Sequence, residues 1–258
     1  MRIVFVLDEI AFFHPQFLHR VLERCTDTVV GAAVVTKVSD RSNIDTYLKR
    51  HWYYLKFSEM FKLASRKFGL VLRDKLPVRR NGTFYSVRSV LKHWNIDYIE
   101  VEYDINQSRH LNWIEKKDPD VIVSSNSLIF KERLLDLPRI CCINRHSALL
   151  PSYGGLWPVF QAYRSGEPRT GASVHVMTKK IDAGAVLAQK ATPIRSGQPL
   201  YDLYDKCFDL SVEVVIEALE KVKKNDFVPV SNGNNASYFS FPTKDHCKDF
   251  RRRNGRFA

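Results

Sequence analysis

Ile140-Cys141-Cys142-Ile143-Asn144-Arg145-His146-Ser147-Ala148-Leu149-Leu150-Pro151 is a short apolar run that stops at a polar trio. Such a run reads as a strand delivering polar side chains to its carboxyl end, the edge at which open α/β sheets keep their ligands. Asn144 and His146 lie two apart and share a strand face, whereas Arg145 points away. Upstream, the apolar run Val121 to Ser124 follows Pro119 and also ends in polar residues, Ser124-Ser125-Asn126-Ser127, with a helical stretch at Lys131 to Leu135 between the two strands. Two neighbouring crossover strands that end in polar loops build a crevice. Downstream, Val174 and Val176 alternate with Ser173, His175 and Met177, and Ala185 to Gln189 forms a second short apolar run. The loop between them, Thr178 to Gly184, reads as a hairpin connection with Asp182 near its tip.

Working outward, residues 2 to 7 are near-continuously apolar, and Pro15, Phe17, Leu18, Val21 and Leu22 repeat at helical spacing. Proline fits the first turn, where its missing N–H is not needed. Val29 to Val35 is again strand-like. The fold class is therefore α/β, a mostly parallel twisted sheet flanked by helices. From Ser39 to about Asn95 the alternation breaks, which predicts a helical, basic and aromatic insertion over residues 39–95. Ile44, Tyr47, Leu48, His51 and Leu55 form one helical stripe, and Phe57, Met60, Phe61, Ala64 and Phe68 form another. These stripes are expected to pack on the domain or on a second subunit, with a membrane-surface or homo-oligomer contact through residues 44–68 as the competing use. The α/β pattern resumes at Ile96 to Val101 and closes with a helix from Pro199 to Lys223. That gives a catalytic domain over residues 1–224 and a short basic tail over 225–258.

The 258 residues carry a formal charge of +12 with 45% hydrophobic content, enough for a sizeable core and suited to an anionic partner. No recognised nucleic-acid reader motif occurs, so no nucleic-acid partner is expected. Five cysteines without a Cys-x-x-Cys pair read as reduced thiols. Neither a signal peptide nor an apolar run of about 20 residues is present, which predicts a cytoplasmic protein. The first strand-to-helix loop, Asp8-Glu9-Ile10-Ala11-Phe12-Phe13-His14, has no glycine and offers no phosphate-cradling nest, disfavouring a dinucleotide or phosphate there.

An asparagine amide and an imidazole can both donate to an oxyanion developing on a carbonyl. A carboxylate such as Asp182 can serve as general base for an attacking amine. Ser147 lies on the opposite strand face with no Gly-x-Ser-x-Gly elbow, so direct transfer fits better than an acyl-enzyme. Singly, each residue also has a structural reading: His146 bonding a buried loop, Asp182 capping a turn before Gly184.

Together they resemble the folate-dependent formyltransferases, whose pattern is Asn-x-His-x-Ser-Leu-Leu-Pro, Tyr-x-Gly, Gly-Glu-x-x-x-Gly, a strand histidine and Asp-x-Gly. The corresponding residues are Asn144 to Pro151, Tyr153-Gly154-Gly155, Gly166-Glu167 with Gly171, His175, and Asp182-Ala183-Gly184. The resemblance implies a formyltransferase fold with N10-formyltetrahydrofolate as donor and no metal, Asn144, His146 and Asp182 as the catalytic trio, and His175 as an ordering residue. It places the pterin against Ser127, Leu128 and Ile129 and the loop Thr178, Lys179, Lys180 and Ile181. Two departures stand out. Ala148 replaces the family's usual serine, so that hydroxyl contact is lost or rerouted, and Gly154 replaces a residue that is often basic. The glycine-free first loop argues against glycinamide ribonucleotide as acceptor, and the short tail against initiator tRNA. The expected acceptor is a small-molecule amine, an amino sugar on a nucleotide or lipid carrier. The alternatives are a formyltetrahydrofolate hydrolase and a non-catalytic folate- or nucleotide-binding module.

Overall fold

The computed structural model describes residues 1–37, 54–75, 83–229 and 235–258. The strands are β1 (Arg2–Asp8), β2 (Thr28–Lys37), β3 (Tyr98–Glu102), β4 (Val121–Ser125), β5 (Cys141–His146), β6 (Gly154–Gly155), β7 (Arg169–Val176), β8 (Val186–Pro193) and β9 (Tyr238–Phe239). The described helices are α1 (His14–Arg24), α2 (Phe57–Lys75), α3 (Val87–His93), α4 (Ser108–Lys116), α5 (Glu132–Leu135), α6 (Pro158–Ser165), α7 (Leu200–Lys223) and α8 (Lys244–Arg252).

Seven strands form the main sheet in the order β3-β2-β1-β4-β5-β7-β8. The central strands are apolar on both faces because both are covered: Ile3 to Leu7 are fully buried. Ile3, Phe5 and Leu7 join a core built with α1, α3 and α7, whereas Val4 and Val6 pack with Ile105, Leu111, Ile114 and Leu134 on the other side. The pairings from β3 to β5 are parallel, and those of β5 with β7 and of β7 with β8 are antiparallel. The mostly parallel sheet expected from the sequence is thus present, with an antiparallel edge.

The structure moves several boundaries. The polar trio does not lie beyond a strand ending at Ile143, because β5 continues through His146. Pairing with β7 sets Asn144 opposite His175 and His146 opposite Ser173, and this ladder satisfies backbone groups that a loop would have left to water. The expected 39–95 insertion ends earlier, because α3 buries Val87, Val90 and Leu91 in the main core as the crossover between β2 and β3. Of the first aromatic stripe only Leu55 lies within the described residues. The second stripe does not pack on the domain: Phe57, Phe61 and Phe68 are exposed on α2.

Residues 235–258 are not a loose basic tail. β9 pairs in parallel with β6, and α8 is capped by the Thr243 side chain accepting from the His246 N–H. Phe250 is fully buried in a third cluster, its ring 5.0 Å from those of Phe160, Tyr163 and Phe257. A few apolar residues (Phe239, Phe241, Cys247, Phe250 and Phe257) anchor this segment among many polar ones, so average composition conceals it. Phe250→Ala should cost about 3–5 kcal/mol in urea unfolding, as for a buried phenylalanine that leaves a cavity. A change within about 0.5 kcal/mol would mean that the segment lies loosely on the surface.

Candidate active site

Four segments converge at the carboxyl end of β5. The strand itself brings Asn144 and His146, and β7 brings His175 across the ladder. The β7–β8 connection brings Asp182, and the segment from Tyr153 into β6 brings the Tyr153 carbonyl and the Gly155 N–H. Asp182 holds a left-handed backbone at φ +52°, and its Oδ2 accepts the Gly155 N–H at 2.7 Å. The Asp-x-Gly spacing follows from sterics, since a Cβ at Gly184 would overlap the Val176 carbonyl oxygen. At Gly155, with φ +89°, a Cβ would overlap the Phe239 carbonyl in the same way.

His146 Nε2–H donates to the Tyr153 carbonyl at 2.9 Å, which leaves the Nδ1 lone pair facing Asp182 Oδ2 at 3.8 Å. His175 Nδ1–H donates to the Val176 carbonyl at 2.9 Å, and its Nε2 lies 3.2 Å from the Asn144 amide nitrogen and 3.4 Å from Asp182 Oδ1. With a lone pair there, Nε2 accepts from Asn144; with a proton there, it donates to Asp182.

Burial lowers the His146 pKa below the ordinary imidazole range, against the opposing pull of Asp182 and the Tyr153 carbonyl. Burial would raise Asp182, but the His175 hydrogen bond, the charge of His146 when protonated and the Gly155 N–H hold it well below the usual carboxylate range. At neutral pH the site thus holds an ionised carboxylate beside a neutral imidazole. The expectation that His146 donates to an oxyanion meets a geometric objection, because its only N–H in that state is engaged by Tyr153. As placed, its free nitrogen accepts a proton.

The opposite face of β5 carries Arg145. It is buried, donates from Nε to Ser211 Oγ at 2.9 Å and from Nη2 to Ser147 Oγ, and lies 3.6 Å from the centroid of the Phe208 ring. No carboxylate is within ion-pair distance among the described residues, and burial pushes its pKa down to about 10, leaving it a cation at neutral pH. At Ala148, Ser173 Oγ from β7 donates to the backbone carbonyl at 2.5 Å and accepts the Leu150 N–H at 3.1 Å.

Beside the loop after β7 lies a cleft of about 320 Å³ whose walls include Leu135, Cys142, Met177, Thr178 and Lys179. Lys179 pairs with Glu132 at 2.6 Å across it. Of the residues expected to hold a donor, Thr178 and Lys179 line this cleft. Ile129 and Ile181 are exposed, and the Lys180 carbonyl accepts from Thr178 Oγ1 at 2.9 Å. Leu128 packs on the second core, and its N–H donates to Asn126 Oδ1 at 2.7 Å. Ser127 Oγ donates to Asp8 Oδ2 at 2.8 Å. Sequence reading missed Leu135, Cys142 and Met177, which look like ordinary core residues, and the Tyr153 carbonyl, which leaves no trace in side-chain type.

A sequence profile described as formyl transferase matches residues 79–219. The chain belongs to the formyl transferase family. It is 36% identical over 138 residues to a methionyl-tRNA formyltransferase of Thermotoga maritima, a match covering 53% of this chain and 44% of that protein. A methionyl-tRNA formyltransferase of Caldanaerobacter subterraneus is 30% identical over 165 residues, covering 63% and 53%. The chain thus spans about half the length of the curated relatives it matches. In fold it is similar to a phosphoribosylglycinamide formyltransferase from Anaplasma phagocytophilum, with TM-score 0.60, 14% identity and coverage of 93% of this chain and 98% of that one. A sugar N-formyltransferase from a Shewanella species gives TM-score 0.59 and 14% identity, covering 97% and 87%.

Acid should destabilise the fold in a definite window. His14 is buried beside Arg145, donates Nε2–H to the Ser125 carbonyl at 2.9 Å, and is held down to about 3 by burial and by the Arg145 charge. His14 and His146 both bind fewer protons folded than unfolded once pH falls below about 6.5, so each should remove about 1.4 kcal/mol of stability per pH unit until its folded pKa is reached. His14→Gln keeps a donor for Ser125 and should flatten the decline between pH 6.5 and 5 by about one histidine's slope in urea titrations. An unchanged slope would contradict a neutral His14.

Proposed function

We propose that this chain transfers a formyl group from N10-formyltetrahydrofolate to an amine. The observation that carries the reading is the Asp182 carboxylate held between two imidazoles, with the Asn144 amide on the same strand face. The 320 Å³ cleft begins one residue beyond His175, at Val176, and combines the apolar Leu135, Cys142 and Met177 with the charged Glu132, Asp136 and Lys179, a concave place in which part of a donor could lie. Thr178 and Lys179 are the residues of this chain that would border it.

The chemistry follows from the donors and acceptors in place. One hydrogen of the Asn144 amide faces His175, and the other is left for the formyl oxygen, which gains negative charge as the amine adds to the formyl carbon. The proton lost by the amine passes to the His146 Nδ1 and Asp182 pair, both acceptors at neutral pH. The imidazolium so formed remains next to an ionised carboxylate. The carbon–N10 bond then breaks, N10 takes up a proton, and the products are a formamide and tetrahydrofolate.

An amino sugar on a nucleotide or lipid carrier is the acceptor favoured here. In the loop after β1 the N–H groups of Glu9, Ile10, Phe13 and His14 all donate to carbonyls within the chain, so the loop offers no ring of backbone donors for a phosphate monoester. The sugar N-formyltransferase likeness supports the same class at the level of fold. The sequence likeness to methionyl-tRNA formyltransferases and the charge of +12 favour an aminoacyl-tRNA as the second reading. The proposed location is cytoplasmic; among the described residues no helix is long and apolar enough to cross a membrane.

Asn144→Ala, His146→Ala and Asp182→Asn should each lower formyl transfer by about 10²-fold or more, while donor binding by calorimetry stays within a few-fold of the parent. Undiminished transfer in all three variants would remove these residues from the chemistry.

A further inference from the structure

Helix α2 lies with its apolar side turned away from the protein. Phe57, Phe61, Ala64, Phe68, Val71 and Leu72 fall within an arc of about 100° on a regular helix, and all are exposed, with Phe57 at 86%, Phe61 at 68% and Phe68 at 71%. The opposite side faces the body. There Glu59 is buried, accepts the Phe257 N–H at 2.8 Å and pairs with Arg251, and Arg66 stacks 4.6 Å over the Tyr201 ring. A helix serving only its own domain would be turned the other way, with its apolar stripe inward.

The charges bear on what covers the stripe. Lys56, Lys62, Arg66, Lys67 and Arg73 are exposed along this element, and Glu59 is already neutralised by Arg251, so Asp74 is the acidic residue left on it. Next to Phe61, an open cleft of about 480 Å³ is bordered by Lys62, Arg66 and Arg256. The net charge of +12 has the same sign. A second copy of the chain would bring like charges together around the seam, whereas an anionic surface is attracted at every one of these positions. The exposed apolar residues are phenylalanine, valine and leucine, which enter the acyl boundary of a bilayer, and α2 is not long and apolar enough to cross one.

We infer that α2 is a membrane-surface element that lays Phe57, Phe61, Phe68 and Leu72 into an anionic phospholipid bilayer, with the cleft of Lys62, Arg66 and Arg256 receiving a lipid phosphate. This is independent of the formyl-transfer reading, because none of these residues belongs to the site around Asp182.

The test is flotation of the full chain with vesicles of phosphatidylcholine alone or with 30% phosphatidylglycerol, a fraction of about one lipid in three that is sufficient for a strong surface charge. Binding is expected to the anionic vesicles, about tenfold weaker at 0.5 M salt. It should be reduced about a hundredfold or more in Phe57→Ser/Phe61→Ser/Phe68→Ser and weakened in Lys62→Gln/Arg66→Gln, with the thermal midpoint of both variants unchanged. Three results would overturn the inference: no flotation with anionic vesicles, equal flotation of the triple serine variant, or flotation insensitive to salt and lipid charge. A dimer in light scattering that the triple serine variant abolishes, without flotation, would assign the stripe to a second copy. Binding of a folded RNA in place of vesicles would assign the basic cleft to nucleic acid.

Discussion

A carboxylate taken out of water is costly unless donors surround it, and Asp182 meets that condition through separated parts of the chain. The Gly155 N–H comes from β6, and His175 comes from β7. His146, on β5, stands beside the carboxylate as a neutral acceptor that becomes its counter-charge on taking up a proton. Each partner is in place only because another feature holds it. Antiparallel pairing of β5 and β7 sets Asn144 opposite His175. β6 stays aligned because β9, near the end of the chain, pairs with it. Tyr153 is fixed by a stacked contact with Phe239 at 5.4 Å and by its hydroxyl donating to Glu167 at 2.7 Å, and this fixes the carbonyl that selects the His146 tautomer. The C-terminal segment thereby reaches the site through two backbone groups, the Gly155 N–H and the Tyr153 carbonyl.

The two sides of β5 have opposite electrostatics. One side carries the anionic group and the neutral imidazole; the other carries Arg145, a cation held by two serine hydroxyls and an aromatic face instead of a carboxylate. Burial is the main cause that lowers both His14 and His146, and the Arg145 charge, with no carboxylate at ion-pair distance among the described residues, adds to it. The neutral state of His146 at pH 7 thus follows first from its burial.

The fold was largely legible because its signal is periodic. Ile3 to Leu7, Val29 to Val35 and the stripe from Leu203 to Leu219 mark strands and a helix by spacing alone. The segments that build the site were legible through fixed spacings, Asn144 with His146 and Asp182 with Gly184. Three things were not. Continuation of β5 through His146 depends on a partner strand some 30 residues away, and local sequence does not encode that pairing. The C-terminal segment was hidden because a few apolar anchors fasten a polar stretch. The cleft walls Leu135, Cys142 and Met177 were hidden because a cleft wall and a core use the same residues. The stripe on α2 was read correctly as a helix face, but its outward orientation is set by the Glu59 to Arg251 pair at the other end of the chain.

The account rests on formyl transfer to an amine at Asp182. The direct measurement is incubation of the chain with N10-formyltetrahydrofolate and a panel of amino-sugar nucleotides, a lipid-linked amino sugar and an aminoacyl-tRNA, followed by mass detection of the acceptor and assay of free formate. The account predicts one amine acceptor gaining a single formyl group, with tetrahydrofolate formed in equal amount and little formate. Stoichiometric formate with no formylated amine, or no consumption of the donor with any acceptor, would contradict it.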